Sequence, residues 1–250
     1  MNPLFSIITV SYNAAGTIGR TLDSVASQTC GLYEHIVVDG ASTDGTRALV
    51  AAAAGADRRC LISEPDRGLY DAMNKGMALA TGDYLIFLNS GDKFHSTDTL
   101  QLIADTIMRE DYPGVVYGQT DLVDDSGRRI GPRHLTAPER LGYADFARGM
   151  LVCHQAFVVL ARIAPRYSMQ YRFSADYDWC VQCLQHSRRN VYTGAVLIDY
   201  LSEGLTTSNR RASLMERFRI MCRYYGTLPT VWRHVGFFFR NLKRKFNVPV

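Results

Sequence analysis

The sequence predicts an α/β fold with a mostly parallel central sheet and helices on both faces. Short apolar segments recur through the first half of the chain, and segments with helical spacing separate them. The apolar segments run continuously instead of alternating with polar residues, which is typical of strands whose two faces are both covered. Polar clusters follow the ends of these segments, as in α/β proteins that bind ligands at the carboxyl edge of the sheet.

The first half of the chain supplies four strands and three helices. The first strand, FSIITV, is rich in β-branched residues, and the next segment has apolar residues at Ile18, Leu22 and Val25, one face of a helix. The helix after the second strand opens with Ser, Thr and Asp, which are favoured at helix N-termini. The predicted strands are residues 5–10, 35–39, 60–65 and 84–88, and the predicted helices are residues 17–28, 42–54 and 71–80.

The pattern changes after residue 113. The segment GVVYGQTDLVDDSGRRIG predicts two strands joined by a turn at DDSG. Further along, we predict a helix at 138–149, a strand at 155–160, a helix at 175–185 and a strand at 191–201. No internal repeat and no Gly/Ser-rich linker is visible. We therefore predict one domain over residues 1–205, divided after residue 112, and a helical basic tail over residues 206–250.

The composition excludes several classes of protein. A chain of 250 residues with 47% hydrophobic and 21% charged residues is typical of a globular protein. Its net charge of +4 is too small to indicate a nucleic-acid partner. The lone CxxC at Cys180 and Cys183 has no second ligand pair, so we interpret these as buried reduced thiols. We see no signal peptide and no membrane-spanning run of about eighteen apolar residues, and we expect a cytoplasmic protein.

Two acidic clusters follow the second and third strands. Asp39 ends the second strand and Asp44 lies in the turn after it, where a carboxylate can accept hydrogen bonds from a base N–H or from ribose hydroxyls. Asp44 would equally serve as a helix cap. In SEPDRGLYDAMNKG, Asp66 lies in a turn and Asp71 opens a helix. Lys75 on that helix fits a phosphate, an acidic neighbour, or a solvated helix surface.

The segment FLNSGD after the fourth strand offers a single carboxylate to a cation. A divalent cation on a diphosphate needs hard oxygen ligands, but phosphate oxygens and waters fill most of its shell. Asp92 together with the carbonyl oxygen of Asn89 is therefore sufficient, and Gly91 lets the chain turn close to a ligand. The same string also makes an ordinary turn.

Taken in order, these segments resemble the family 2 glycosyltransferases of GT-A fold, and in particular bacterial enzymes of colanic acid and other cell-surface polysaccharides. The resemblance covers residues 4–205. It implies that residues 1–112 bind a nucleotide-diphosphate sugar donor with Mg²⁺ or Mn²⁺ on its diphosphate, and that residues 113–205 bind a glycan or lipid-linked acceptor. The segments that carry it are SIITVSYN, IVVDGASTDGT, SEPDRGLYDAMNKGMALATGDYLIFLNSGD, CHQAF and SADYDW.

The resemblance assigns roles to residues by position. Asp92 corresponds to the metal-binding carboxylate and Asn89 to a neutral helper, although the commoner DADD-type string has acids where this chain has Asn89 and Gly91. We therefore expect replacement of Asp92 to weaken activity far more than replacement of Asn89. The implied nucleoside contacts are Thr9, Ser11, Asn13 and Asp39, and the implied donor-side cluster is Asp66, Asp71 and Lys75.

The same resemblance implies a catalytic base in FSADYDW. Asp176 is the expected base and Asp178 its competitor, and Ala175 stands where the family usually has an acid. A first-turn aspartate would also fit a structural role at the helix N-terminus. His154 and Gln155 are implied at the border of the acceptor site, although a lone histidine after an apolar pair is more often a core residue.

The implied chemistry follows from the leaving group. A nucleoside diphosphate leaves as an anion that needs electrostatic stabilisation, which the metal supplies. Asp176 takes the proton of the acceptor hydroxyl as that hydroxyl attacks. Direct attack needs no covalent intermediate, so we predict inversion at the anomeric carbon.

The tail segment VWRHVGFFFRNLKRKF (231–246) has the pattern of an interfacial helix. Trp232, Val235, Phe238, Phe239 and Leu242 lie mainly on one helical face, with basic residues between them. This pattern favours peripheral contact with an anionic membrane, at the inner face of the cytoplasmic membrane. A helix packed on the domain, or an oligomer contact, would show the same pattern.

Other functions fit less well. A dinucleotide oxidoreductase needs a G-x-G-x-x-G turn after the first strand, and SYNAAGTIG does not provide one. A nucleotidyltransferase needs a basic, glycine-rich first loop, which is also missing. A catalytically silent protein that binds a sugar nucleotide stays open, because NSGD departs from the usual metal-binding string.

Overall fold

The structure is a computed structural model that describes residues 3–202 and 210–246, with side chains described for residues 3–202 and 211–236. Its strands are β1 (Phe5–Ser11), β2 (Tyr33–Asp39), β3 (Arg59–Ser63), β4 (Tyr84–Phe87), β5 (Lys93–Phe94), β6 (Val115–Val123), β7 (Arg129–Pro132), β8 (Phe157–Leu160) and β9 (Asn190–Leu201). Its α-helices are α1 (Ile18–Ala26), α2 (Thr46–Ala52), α3 (Leu69–Leu79), α4 (Thr99–Arg109), α5 (Ala175–His186), α6 (Arg210–Tyr225) and α7 (Thr227–Phe246).

The described strands form one sheet in the order β3-β2-β1-β4-β8-β6-β9-β5, and β7 also pairs with β6. β1 is parallel to β2 and β4, β2 is parallel to β3, and β6 is parallel to β9. β8, β7 and β5 add antiparallel pairs in the second half. Most paired residues lie in the parallel ladders, so the predicted α/β fold is confirmed.

Helices cover both faces of the parallel half. Val37 of β2 packs with Ile18 and Leu22 of α1. The next residue, Val38, belongs to the main core together with Met73 of α3. Successive residues of a strand point to opposite faces, so α1 and α3 lie on different sides of the sheet.

A glycine allows α3 to lie close to the sheet. A Cβ atom at Gly76 would stand 2.5 Å from Cγ2 of Ile8. Any larger residue would push α3 away from β1, and the polar residues in the first turn of α3 would move with it.

Three elements differ from the sequence prediction. Only residues Tyr143–Arg148 of the predicted helix at 138–149 are helical, as a 3₁₀ segment that ends at Gly149 with φ of +114°. The prediction missed α4. It also missed β5, which has two residues and is too short for a hydrophobic period to show.

The helices after residue 210 begin against the domain. Tyr143 donates to the backbone oxygen of Tyr224 at 2.7 Å, and Tyr225 donates to the backbone oxygen of Tyr143 at 2.9 Å. Ile220 and Met221 of α6 are buried. Residues 203–209, and the side chains of Phe238, Phe239 and Leu242, lie outside the described residues. Among the helices of the described ranges, none combines the length and the apolar character needed to cross a membrane.

Candidate functional site

The carboxyl ends of β1, β2 and β3 meet at Asp39. The strand register puts Ser11 opposite Asp39 and Asp39 opposite Ser63. The carboxylate accepts hydrogen bonds from Ser63 Oγ at 2.6 Å, from the backbone N–H of Ser42 at 2.9 Å and from Ser11 Oγ at 3.3 Å. Burial alone would raise the pKa of Asp39, but hydrogen bonds led by those from Ser42 and Ser63 lower it below its usual range.

Thr9 is not part of this edge. Its side chain is fully buried, and its hydroxyl lies 3.0 Å from Nε2 of His35. Burial lowers the pKa of His35 to about 3, so the imidazole is neutral at physiological pH. Of the four predicted nucleoside contacts, the structure groups Ser11 and Asp39 and leaves Thr9 inside the sheet.

The fourth predicted contact, Asn13, lies in a turn held against the β2–α2 loop. Asn13 has φ of +47°, and its backbone N–H donates to Ser42 Oγ at 2.8 Å. Its side-chain oxygen accepts the N–H of Thr43 at 3.0 Å. Asp44 accepts from the N–H of Ala15 at 2.9 Å and from the N–H of Thr46, the first residue of α2, at 3.0 Å. Asp44 therefore joins the two loops and accepts the first N–H of α2, whose N-cap residue is Gly45.

The predicted donor-side residues form a charged cluster at the start of α3. Asp71 accepts the backbone N–H of Arg67 at 3.0 Å and its guanidinium at 3.1 Å, and the Lys75 ammonium lies 3.7 Å away. Lys75 also pairs with Glu64 at 2.8 Å. The N–H of Arg67 and its charge hold the pKa of Asp71 below its usual range, although burial opposes this. Of the roles that the sequence allows for Lys75, the structure shows the pairing with acidic neighbours.

Asp66 lies against the end of β2. Its Oδ1 accepts the N–H of Gly68 at 2.9 Å, and its Oδ2 would stand 2.6 Å from a Cβ atom at Gly40. Only glycine at position 40 lets this carboxylate approach. The structure therefore brings Asp66 beside the Asp39 end of the sheet.

Asp92, the predicted metal ligand, is engaged by protein donors. Its Oδ2 accepts from Gln155 Nε2 at 2.8 Å, and its Oδ1 accepts from the backbone N–H of Leu201 at 2.9 Å. The residue is 3% exposed. Burial raises the pKa of Asp92 to about 7, against the opposing effect of these two hydrogen bonds.

Gly91 has φ of +99°, and a Cβ atom there would lie 2.7 Å from Cδ2 of Leu201. The end of β9 therefore covers the NSGD turn. An aspartate at position 91, as in the commoner string, would need both a strained backbone and a displaced Leu201.

The predicted donor set fits a divalent cation only in part. Asn89 Oδ1 is buried and has no hydrogen-bond partner among the described residues, which leaves a carbonyl oxygen available to a hard cation. Each Asp92 oxygen accepts one hydrogen bond, from Gln155 or from Leu201, and keeps a second lone pair that a cation could share. Asn89 thus offers an unpartnered oxygen among the described residues, and Asp92 offers two oxygens that also accept from protein donors.

A second group of ligand-type side chains lies at the far edge of the sheet. His95, Asp121 and Asp199 bring one ligand atom each within 4.8 Å of one another. Lys93 already pairs with Asp199 at 3.1 Å, and Arg129 pairs with Asp121 at 2.5 Å. A cation would compete with both side chains, so this group is best described as a salt-bridge network.

The two candidate bases differ in their surroundings. Asp178 is 1% exposed and accepts from Gln182 Nε2 at 2.7 Å and from the Tyr224 hydroxyl at 2.9 Å. Burial raises the pKa of Asp178. Asp176 is only partly buried, and its Oδ1 accepts from the Tyr70 hydroxyl at 3.2 Å and from the N–H of Tyr177 at 2.8 Å. Only Asp176 keeps an oxygen, Oδ2, that receives no hydrogen bond from the described residues.

His154 and Gln155 lie inside the domain. His154 is 3% exposed, its Nε2 lies 2.5 Å from the Tyr167 hydroxyl, and its ring packs on Phe87 and Trp179. Burial lowers the pKa of His154 to about 4. The structure places His154 in an aromatic core and Gln155 on Asp92, so neither presents a surface to an acceptor.

Two residues that touch the site, Tyr70 and Glu216, could not be predicted from the sequence. Tyr70 bonds to Asp176, and its only sequence signal is its position inside the cluster at 63–76. Glu216 of α6 accepts the backbone N–H groups of Arg172, Phe173 and Ser174 at 2.9, 2.8 and 3.0 Å, just before α5 begins. No local pattern indicates this contact, because it joins segments more than forty residues apart.

Comparison of the sequence with known proteins finds a matching family model and similar relatives. Residues 6–164 match the family model described as glycosyl transferase family 2. A PGL/p-HBAD biosynthesis glycosyltransferase of Mycobacterium bovis is 37% identical over 190 residues, which cover 74% of this chain and 71% of that protein.

Two solved structures share the fold. S. aureus TarS 1–349 in complex with UDP-GlcNAc has a TM-score of 0.71 at 17% identity, over 95% of this chain and 73% of that one. The mannosyltransferase PcManGT from Pyrobaculum calidifontis, in complex with GDP-Man and Mn²⁺, has a TM-score of 0.64 at 19% identity, over 94% and 70%. At such identities the likeness shows the GT-A fold alone.

Proposed function

Because the chain belongs to glycosyl transferase family 2, we propose that it is an inverting glycosyltransferase with Asp176 as its base. It moves a sugar from a nucleotide-diphosphate donor to a hydroxyl of a glycan or lipid-linked acceptor in bacterial surface polysaccharide synthesis. The observation that carries this proposal is the hydrogen bonding of the two Asp176 carboxylate oxygens. Its Oδ1 is held by Tyr70 and its Oδ2 receives no hydrogen bond from the described residues.

In the reaction, Oδ2 of Asp176 accepts the proton of the acceptor hydroxyl while the acceptor oxygen bonds to the anomeric carbon. The bond from that carbon to the diphosphate oxygen breaks in the same step. A carboxylate positioned for this transfer contributes about 100-fold or more to the rate. Asp178 has both oxygens engaged by Gln182 and Tyr224, which favours Asp176 over it.

The donor contacts belong to the carboxyl edge of the sheet. Ser11, Asn13 and Asp39 are the proposed nucleoside contacts. The cluster of Asp66, Asp71 and Lys75 is the proposed donor side. The ion pairs of Lys75 with Glu64 and Asp71 support a binding surface that is formed before the donor arrives. TarS and PcManGT, which share the fold, were solved with UDP-GlcNAc and GDP-Man, and this supports a nucleotide sugar as donor.

A divalent cation, Mg²⁺ or Mn²⁺, is part of the proposal. Asp92 and Asn89 are its proposed ligands, and Asn89 Oδ1 is buried without a hydrogen-bond partner among the described residues. The cation would stabilise the negative charge that develops on the leaving diphosphate. Asp92 would bind it through a carboxylate oxygen that also accepts from Gln155 or from Leu201.

We also propose peripheral contact with the inner face of the cytoplasmic membrane through residues 231–246. The described start of α7 supports it, because Leu228, Val231, Trp232 and Val235 are all exposed and follow the i, i+3, i+4, i+7 spacing of one helical face. Residues 227–246 contain five basic residues and no acid, which suits an anionic surface.

A vesicle experiment tests this contact. Sedimentation should show binding to vesicles that contain phosphatidylglycerol and little binding to phosphatidylcholine alone. Trp232→Glu should reduce the bound fraction several-fold, whereas Met108→Glu, a similar change on exposed α4, should not. Equal binding by Trp232→Glu and wild type would contradict the proposal.

A panel of UDP-GlcNAc, UDP-glucose and GDP-mannose with Mn²⁺ tests the activity itself. Wild type should release nucleoside diphosphate from one of these donors, and Asp176→Asn should lower that rate about 100-fold or more while it still binds the donor in calorimetry. Asp178→Asn is the matched comparison and should retain more activity if it folds. Donor binding without turnover by wild type would instead support a catalytically silent sugar-nucleotide binding protein, which the departures at Asn89 and Gly91 favour.

A further inference from the structure

One hydrogen bond connects the donor-side helix to the helix that carries the base. The hydroxyl of Tyr70, in the first turn of α3, donates to Oδ1 of Asp176, in the first turn of α5, at 3.2 Å. These residues are 106 positions apart in the chain. The contact is therefore a property of the folded domain and joins its two halves.

The hydroxyl of Tyr70 is fixed by the packing of its ring. Tyr70 is 5% exposed, and its ring stacks on Tyr167 with 5.6 Å between centroids and 23° between planes. Tyr167 in turn stacks on the fully buried Trp179 at 5.1 Å and 15°. A ring held in such a stack has little freedom to turn, so the position of its hydroxyl is set before any substrate arrives.

The bond also determines which oxygen of Asp176 is available. Oδ1 accepts from both Tyr70 and the N–H of Tyr177, while no described residue donates to Oδ2. With Oδ1 held at two points, the carboxylate plane is fixed and Oδ2 is left to the substrate.

We propose that Tyr70 is a positioning residue that orients Asp176 so that Oδ2 receives the proton of the acceptor hydroxyl. This inference rests on the proposed role of Asp176 as the base. Tyr70 itself loses no proton. It keeps its O–H donated to Oδ1 while the acceptor proton moves to Oδ2 and the diphosphate leaves.

The Tyr70 hydroxyl remains a hydrogen-bond donor to Asp176 at physiological pH. Burial and then the charge of Asp176 raise its pKa well above 10, so the phenol stays protonated throughout the physiological range. It therefore does not compete for the acceptor proton. The other titratable groups facing Asp176 are His154, Tyr167, Cys180 and Tyr200, and Glu216 faces Tyr70.

The placement of Tyr70 separates positioning from donor binding. The next residue, Asp71, takes part in the donor-side cluster through Arg67 and Lys75, but the Tyr70 hydroxyl contacts none of these three. Removing the hydroxyl alone should therefore leave the cluster, and with it donor affinity, unchanged.

The test is Tyr70→Phe, which removes only the hydroxyl. With the donor that wild type turns over among UDP-GlcNAc, UDP-glucose and GDP-mannose, kcat should fall about tenfold or more, because a misplaced catalytic group loses much of its effect. The donor KM, and the donor affinity measured by calorimetry, should stay within about twofold of wild type.

Tyr84→Phe is the matched control. Tyr84 is also buried, and its hydroxyl donates to the backbone oxygen of Pro113 at 2.7 Å, away from the site. This variant should lose a comparable amount of stability and keep its kcat. A purely structural role for the Tyr70 hydroxyl would make the two variants alike.

The outcomes separate the inference from the proposed function. If Asp176→Asn is inactive but Tyr70→Phe keeps the kcat of Tyr84→Phe, the positioning role is refuted and the base stands. If Tyr70→Phe raises the donor KM and leaves kcat unchanged, the hydroxyl serves donor binding and the inference is again overturned. Full activity in Asp176→Asn would overturn the base assignment and the inference together.

Discussion

The buried carboxyl group of Asp92 makes a specific prediction about stability and pH. Asp92 is 3% exposed and its pKa is raised from 3.8 to about 7, chiefly because burial disfavours the charged form. A group whose pKa is higher in the folded state contributes stability fully below its unfolded pKa. That contribution is lost as the pH rises through the folded value. The loss therefore falls between about pH 4 and pH 7.

The shift of about 3 units between these pKa values corresponds to at most about 4 kcal/mol of unfolding free energy. Between pH 5 and pH 8 the linkage relation gives a change of about 2–3 kcal/mol. Asp92→Asn removes the titration and preserves the size of the side chain. Its carbonyl oxygen can still accept the N–H of Leu201, and a turned Gln155 amide can accept from its NH₂ group.

The assay is urea unfolding of wild type and Asp92→Asn at pH 5, 6, 7 and 8 with a chelator present. The stability of Asp92→Asn relative to wild type should rise by about 2–3 kcal/mol from pH 5 to pH 8. Asp125→Asn, at an exposed turn position, should follow wild type at every pH. A constant difference between Asp92→Asn and wild type across this range would refute the burial argument.

Two further predictions concern other contacts. Asn89→Ala should weaken binding of the donor's nucleoside diphosphate with Mn²⁺ about tenfold in calorimetry and leave binding without metal unchanged, because it removes a proposed ligand oxygen. A loss in Asp92→Asn but not in Asn89→Ala would show that Asp92, and not Asn89, holds the metal. Glu216→Ala should lower the unfolding free energy by about 2–4 kcal/mol, since three backbone N–H groups lose their acceptor. Glu216→Gln keeps one acceptor oxygen and should lose less. A change below about 1 kcal/mol for Glu216→Ala would contradict this reading.

The sheet could be predicted from the sequence because its strands are short continuous apolar segments. Residues 5–10 and 35–39 anticipate β1 and β2 to within two residues at each end. Their register then brings Ser11 and Asp39 together without further information. An apolar strand segment can be recognised from neighbouring residues alone, so its prediction does not depend on tertiary contacts.

The chemical state of the site residues could not be predicted in the same way. The sequence shows that Asp92 follows a strand, but its partners Gln155 and Leu201 come from distant segments. Contacts with these segments give the Asp92 carboxylate two protein donors that the sequence does not reveal. Asn89 Oδ1 has no hydrogen-bond partner among the described residues. The contact of Tyr70 could not be predicted for the same reason, because its partner Asp176 is 106 positions away in the chain.

The choice between Asp176 and Asp178 also depended on tertiary contacts. Both lie in the first turn of α5, and the resemblance favours Asp176 with Asp178 as its competitor. Tyr224 of α6 engages Asp178, whereas Oδ2 of Asp176 receives no donor from the described residues. Under the proposed mechanism, the helix after residue 210 therefore favours Asp176 over Asp178 as the base.

The stereochemistry of the transferred sugar tests the central claim most directly. Wild-type protein would be incubated with Mn²⁺ and the donor that it turns over, and the anomeric configuration of the first product would be read by proton NMR before it equilibrates. Direct displacement with Asp176 as base predicts inversion of the donor configuration. A product that retains the donor configuration would contradict the mechanism.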